Sequence, residues 1–271
     1  MKSKVKIIIT AVLVMAGLCS CGGSAASGGR DYKEPGGGYF QLRDLPEDGE
    51  EIAVMTTNHG VIKLRFFPQY APKAVENFIT HARNGYYDGS TFHRVVEGFM
   101  IQGGDPSGTG GGGESIWGEP FATEVTPQLH HIRGAVSMAK SSAPISQGSQ
   151  FFFVQNTGLD LRMKTRLEGM RDKPGNAWSN FAGVFEKDEN GEGYVNRERM
   201  PAKFAERYLA EGGTPFLDYA HTVFGQVFEG MDIVDKIAAV EIYLYDEYGN
   251  EIHRPVEPVI IEGIVIENYK K

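Results

Sequence analysis

Cysteine is nearly absent from this sequence of 271 residues. The only two, Cys19 and Cys21, sit in one short stretch near the start. No disulfide can staple the rest of the chain, so packing alone must hold it. A membrane-length apolar run is also missing from the start. Ile7–Leu18 spans only 12 residues, short of the ~20 that a permanent transmembrane helix needs. There is no basic excess: 27 Lys and Arg stand against 35 Asp and Glu, a net charge of −8. An acidic chain of this kind is a poor nucleic-acid binder. No His-Glu-x-x-His motif and no cysteine cluster occurs. His93, His130 and His131 lack the spacing of a ligand set, so neither metal nor other cofactor is expected. What remains is 41% hydrophobic and 23% charged, which is ordinary for a globular protein with ample core material.

The first residues read as an address. Lys2, Lys4 and Lys6 precede the short apolar run, the pattern of a signal peptide. Leu18-Cys19-Ser20-Cys21 resembles a bacterial lipobox, with a branched residue three before the last cysteine and a small one just before it. Residues 1–20 are expected to be removed and the Cys21 thiol to carry lipid. Removal takes away three lysines and no acids, moving the net charge from −8 to −11. Residues 22–38 are rich in glycine and serine and cannot bury enough apolar surface to fold. Residues 21–50 are therefore assigned to a lipid anchor and flexible linker, and 51–271 to the folded domain. The address is the extracytoplasmic side of a bacterial cell membrane, held by the N-terminal lipid. A plain secreted protein with two incidental cysteines is the alternative.

From Glu51 onward, strand signals dominate. Ala53–Thr57 and Val61–Phe67 flank Asn58-His59-Gly60 and predict a hairpin, with Ile62, Leu64 and Phe66 on one face. Pro72 opens a helix whose apolar face carries Val75, Phe78, Ile79 and Ala82, and Asn84-Gly85 stops it. Ala135–Ala139 and Ser149–Val154 predict strands, the second apolar enough to be buried on both faces. Glu229–Val240 predicts a second helix and Val259–Glu267 a closing strand beside the strand near Ala53. Gly108–Gly113 matches G-x-G-x-x-G literally. It joins no strand to a helix, so a dinucleotide site is rejected.

Residues 92–105, F-H-R-V-V-E-G-F-M-I-Q-G-G-D, carry the chemistry. The pattern predicts two short strands around a bend at Gly98, with Arg94 on the face of Phe92 and Val96. A fixed cation, the Gln102 amide and the apolar Phe99 and Met100 are what a pocket with a few polar anchors needs. Together with Q-G-S-Q-F-F-F at 147–153 and H-T-V-F-G at 221–225, this block resembles the cyclophilins, a family of peptidyl-prolyl cis-trans isomerases. The resemblance covers about 53–156 and 215–267.

The resemblance implies a mainly β fold, an eight-stranded antiparallel closed β-barrel capped by two helices. It implies Arg94 and Gln102 as catalytic residues. It places Phe99, Met100, Phe152, Leu217 and His221 around the proline ring, with Gln150 and the Ala139–Lys140 backbone under the residues before the proline. It implies a glycine-rich loop beside the groove. Phe216 stands where better-known eukaryotic members carry tryptophan, and Lys140 where they carry asparagine. Phenylalanine has no indole N–H to offer the inhibitor cyclosporin, so weakened cyclosporin binding is expected. The implied partners are proline-containing polypeptides exported across the membrane. Between about 157 and 214 the family pattern breaks. There a partly helical insertion is expected, with a helix over Glu198–Glu211 and a turn at Asp188–Gly193. The rival function is a non-catalytic proline-peptide binding or chaperone module on the cell surface.

Overall fold

β1 (Glu51–Thr57) and β2 (Gly60–Phe66) form the expected hairpin. Ile62, Leu64 and Phe66 all turn into the core. The computed structural model describes residues 38–143, 145–172, 184–187, 193–196 and 200–271. Helix α1 (Pro72–Arg83) follows, with Pro72 in its first turn, where no amide hydrogen is missed. The Glu124 carboxylate accepts from the Lys73 and Ala74 amides at 3.1 and 3.0 Å, a remote acid on the positive end of a helix.

The following elements are β3 (Arg94–Val96), β4 (Met100–Gly103), β5 (Phe121–Ala122), β6 (Ala135–Met138), β7 (Ile145–Gln147) and β8 (Phe151–Val154). The inserted segment contributes α2 (Leu161–Asp172), β9 (Val184–Lys187), β10 (Gly193–Asn196) and α3 (Ala202–Glu211). A 3-10 turn over Pro215–Leu217 leads into β11 (Val223–Glu229), α4 (Met231–Ala238), β12 (Ile242–Tyr245), β13 (Glu251–Pro255) and β14 (Ile261–Asn268).

Eight strands make one antiparallel sheet in the order β14-β1-β2-β11-β6-β8-β4-β3. The sheet is curled and open, where the sequence predicts full closure. Its edge strands β3 and β14 share no ladder. Their approaches meet at the isolated bridge Thr91↔Ile260, with bonds from Phe92 N to Val259 O at 2.9 Å, Ile261 N to Ser90 O at 2.8 Å and Gly89 N to Ile261 O at 2.8 Å. β3 is three residues long, and β14 begins only at Ile261, so pairing has no length over which to continue. Among the described residues there are four helices rather than two. α1 and α4 lie against the main core through Val75, Phe78, Val234 and Ile237. α2 and α3 build a separate core from Leu167, Met170, Phe204, Ala205 and Tyr208, joined by Tyr39 and Ile132.

Three local expectations change. Phe92 does not share the face of Arg94. The strand begins only at Arg94, and Phe92 turns inward with Val95. The α3 helix starts at Ala202 behind Pro201, while residues 188–192, where the turn is expected, and 197–199 lie outside the described residues. The packed body also begins before Glu51. Tyr39 and Gln41 are buried, and the fully buried guanidinium of Arg65 on β2 reaches back to the Glu50 carboxylate at 2.9 Å and the Leu45 carbonyl at 3.2 Å. The Phe40 ring covers that cation at 4.3 Å, a contact that favours a desolvated guanidinium. The expected signal peptide and Cys21 fall in residues 1–37, outside the described residues.

Candidate active site

The site follows from strand register. In β3 and β4 Arg94 lies opposite Gln102, and in β4 and β8 Gln102 lies opposite Phe152. β6 continues the row, with Ser137 opposite Phe152. Residues directly across a ladder share a face. Arg94, Gln102, Phe152 and Ser137 therefore line up on the side of the sheet away from the main core. Alternation does the rest. Phe151 and Phe153 point into the main core, while Phe152 and Val154 point outward to a second cluster with Met100, Ala135 and Val223. Both faces of β8 are buried, as its unbroken apolar run predicts.

Around this outward face stand Phe99, Ala139 and Leu217, each partly buried on that cluster. The 3-10 turn brings Phe216, 55% exposed, to 5.8 Å from the Phe99 ring. The His221 ring meets Phe152 edge-on at 5.8 Å. Burial, then the charges of His131 and Lys140, lower the pKa of His221 to about 4, so near neutral pH it is an uncharged wall. The structure thus gathers Arg94, Phe99, Met100, Gln102, Phe152, Phe216, Leu217 and His221.

Arg94 is half-buried. Its Nη1 faces Gln102 Oε1 at 3.5 Å and Met100 Sδ at 3.9 Å. Burial lowers its pKa and the charge of Glu251 raises it; a guanidinium stays charged in either case. Gln102 is itself held. Its Nε2 donates to Gln150 Oε1 at 2.8 Å, which leaves its oxygen turned to Arg94. Gln150 Nε2 in turn donates to the Gly110 and Gly112 carbonyls at 3.0 and 2.7 Å. The Gln150 amide is thus engaged with the protein and orients Gln102. The Ala139 N–H donates to the Gln150 carbonyl at 2.9 Å, so it is not available to a substrate. Lys140 turns its ammonium to the Ser141 carbonyl at 2.9 Å.

The glycine-rich loop closes on Asp105. Its carboxylate accepts from the Gly110 and Gly112 amides at 2.8 and 3.1 Å and from Ser107 N at 2.8 Å. Burial would raise this carboxyl, but the Ser107 hydroxyl, at 2.8 Å, and then these amides hold it below the usual range. A side chain at Gly112 would come within 2.5 Å of Asp105 Oδ1, so the wrap needs glycine there.

One residue, Asp218, escapes the sequence reading, and with it the role of the two histidines it holds. Asp218 is fully buried behind the pocket wall and bonds both His130 Nδ1 at 2.9 Å and His131 Nδ1 at 3.0 Å. His131 stacks on Phe152. The sequence offers only the adjacent His130-His131 pair and one acid within Phe216-Leu217-Asp218, 87 residues apart, and nothing local links them. Their ring nitrogens are occupied by Asp218, the Pro127 carbonyl and Ser137 Oγ.

Comparison with known proteins places the chain in a family. Residues 52–266 match the family model of the cyclophilin type peptidyl-prolyl cis-trans isomerases. Proteins of Staphylococcus epidermidis and Staphylococcus aureus, provisionally named peptidyl-prolyl cis-trans isomerases, are each 42% identical over 229 residues. The match spans 84% of this chain and 98% of theirs. A cyclophilin type peptidyl-prolyl cis-trans isomerase of Cryptosporidium parvum, crystallised in the presence of the dipeptide Ala-Pro, is similar in structure. Its TM-score is 0.55 at 28% identity, covering 80% of this chain and 99% of that one. With the family model matched over residues 52–266 and relatives 42% identical over 84% of its length, the chain belongs to the cyclophilin-type peptidyl-prolyl cis-trans isomerases.

Proposed function

We propose that this isomerase turns X-Pro amides in polypeptides that have crossed the cell membrane, and that Arg94 stabilises the twisted amide. The reaction sets what the site must supply. Rotation crosses a barrier of about 18–20 kcal/mol because C–N resonance is lost. No bond is made or broken, so neither nucleophile nor metal is needed. The requirement is to bind the twisted amide better than either planar form. On twisting, the proline nitrogen becomes pyramidal and gains a lone pair. The Arg94 guanidinium can donate to it. The observation that carries the reading is the half-buried guanidinium held beside Gln102 at 3.5 Å, with Met100 and Phe152 forming an apolar floor.

In this reading the proline ring sits among Phe99, Met100, Phe152, Leu217 and His221, while the preceding carbonyl rotates. Holding one side of the amide while the other turns is positioning catalysis. Gln102 orients Arg94 and meets the substrate backbone. The Ala139–Lys140 backbone offers carbonyls to the residues before the proline. The Ala-Pro dipeptide used with the Cryptosporidium relative supports a proline-containing ligand. Mixing the purified protein with a short X-Pro peptide tests the function. Exchange that takes tens to hundreds of seconds uncatalysed should become much faster. Binding without acceleration would favour the rival binding or chaperone module.

Phe216 supports the expected inhibitor profile, since its exposed ring has no hydrogen to donate. Phe216→Trp should tighten cyclosporin binding roughly two- to tenfold, the worth of one neutral hydrogen bond, and change peptide turnover little. No gain in a folded variant would place the ring outside the inhibitor's contact surface.

The address is part of the same proposal. Residues 1–20 act as a signal peptide, Cys21 takes the lipid and the glycine-rich stretch after it gives reach. No helix among the described residues is long and apolar enough to cross a membrane. Cys21→Ser should move the protein from the membrane to the soluble fraction with its activity intact. A variant that stays wholly in the membrane fraction would rule out a thiol-linked lipid as the sole anchor.

A further inference from the structure

We infer that the inserted segment is a working part of the pocket, and that Tyr208 on α3 is a positioning residue for the isomerase reaction. The inference rests on the groove assignment above. Tyr208 is fully buried. Its hydroxyl reaches both oxygens of Asp218, at 2.8 and 2.9 Å. Burial, then the negative charge of Asp218, raise its pKa well above the ordinary value, so it remains a protonated donor. Asp218 also accepts from His131 N at 2.7 Å and from the His130 and His131 rings. Burial would raise the Asp218 carboxyl, but the two histidines hold it well below the usual carboxylate range. Of the groups that hold this buried carboxylate among the described residues, Tyr208 alone comes from the inserted segment.

Asp218 has two outlets to the groove. Along the chain it directly follows Phe216 and Leu217 and precedes His221 by three residues. Tyr219 between them sits at φ +60°, a left-handed backbone that non-glycine residues adopt only when their surroundings impose it. Across space, Asp218 fixes the His131 ring, which lies nearly parallel to Phe152 at 6.1 Å and reaches Ser137 Oγ at 3.0 Å. One carboxylate therefore sets both the wall and the floor of the pocket.

The helix is also seated firmly. Thr214 N donates to the His131 carbonyl at 2.8 Å, and Asn156 Nδ2 donates to the Gly213 carbonyl at 3.0 Å. A side chain at Gly213, φ +128°, would meet the Tyr208 ring at 2.7 Å. Phe204, one turn earlier on α3, packs on the His130 ring at 4.1 Å. A surface elaboration would need none of this. The geometry of α3 is that of a buttress behind the pocket.

Tyr208→Phe in the full chain tests this, because it keeps the ring and removes the donor. The wall contacts the proline ring in planar and twisted states alike, so loosening it should weaken uniform binding. KM for an X-Pro peptide should rise about three- to tenfold with kcat within twofold. Asp218→Asn should show the same split, and the double variant should be less than additive. Val75→Ala is the control. It opens the main core under α1, on the other side of the sheet from the groove, and should lower Tm without moving KM. An unchanged KM in folded Tyr208→Phe overturns the inference, and so does an equal rise in Val75→Ala. A Tyr208→Phe protein that fails to fold while Val75→Ala folds would make Tyr208 structural only. An inactive wild type would instead sink the groove assignment, and affinity for the same peptide would then carry the Tyr208 comparison.

Discussion

One constraint governs the arrangement: a cation must be kept half out of water and still aimed at a groove. The cross-strand row Arg94, Gln102, Phe152 and Ser137 meets it. Register fixes the order of the four side chains, because a one-residue slip would send each to the opposite face. The same register turns Val95, Ile101, Phe151 and Phe153 into the main core. The groove is therefore as well fixed as the core, since the same strands build both. Gly98, at φ +74°, allows the bend that folds β3 back on β4, and Gln155 Oε1 accepts its amide at 2.8 Å.

Polar groups that far from water need partners. Two networks supply them from opposite sides. One runs from Asp105 through the glycine-rich loop to Gln150, Gln102 and Arg94. The other centres on Asp218 and reaches the floor through His131 and the wall through the chain itself. Neither network contributes a group that attacks the substrate. Both keep apolar and cationic side chains in place, which suits a reaction whose only demand is shape and charge complementary to a twisted amide.

Where residues are half-buried and alternate, the fold was legible in the sequence. The β1–β2 hairpin, α1, α4, the bend at Gly98 and the doubly buried β8 follow from period and punctuation. Other elements left little signal. α2 carries Arg162, Lys164, Arg166, Glu168 and Arg171 around a face that buries only Leu167 and Met170, so its apolar stripe is too thin to read. β12 exposes Tyr243, Leu244 and Tyr245 alike, and with no buried face it shows no alternation. The strand starts at Arg94 rather than Phe92, because Phe92 and His93 join no ladder, and two unpaired residues leave no mark on period two. In the site, Arg94, Phe99, Met100, Gln102, Phe152 and His221 lie in the three short blocks that carry the family resemblance, whereas Asp218 depends on His130 and His131, 88 and 87 residues away. Contacts between distant segments are set by the sheet order, which no local pattern states.

The assignment of Arg94 is tested most directly by separating rate from affinity in Arg94→Ala. If the guanidinium bonds the pyramidal nitrogen, its contact exists mainly in the twisted state. A charge-assisted hydrogen bond contributes about 1.5–3 kcal/mol, so the cis–trans exchange rate of a saturating X-Pro peptide should fall roughly ten- to a hundredfold, while peptide affinity changes far less. Equal losses in rate and affinity, or full activity in the variant, would contradict a transition-state role for Arg94.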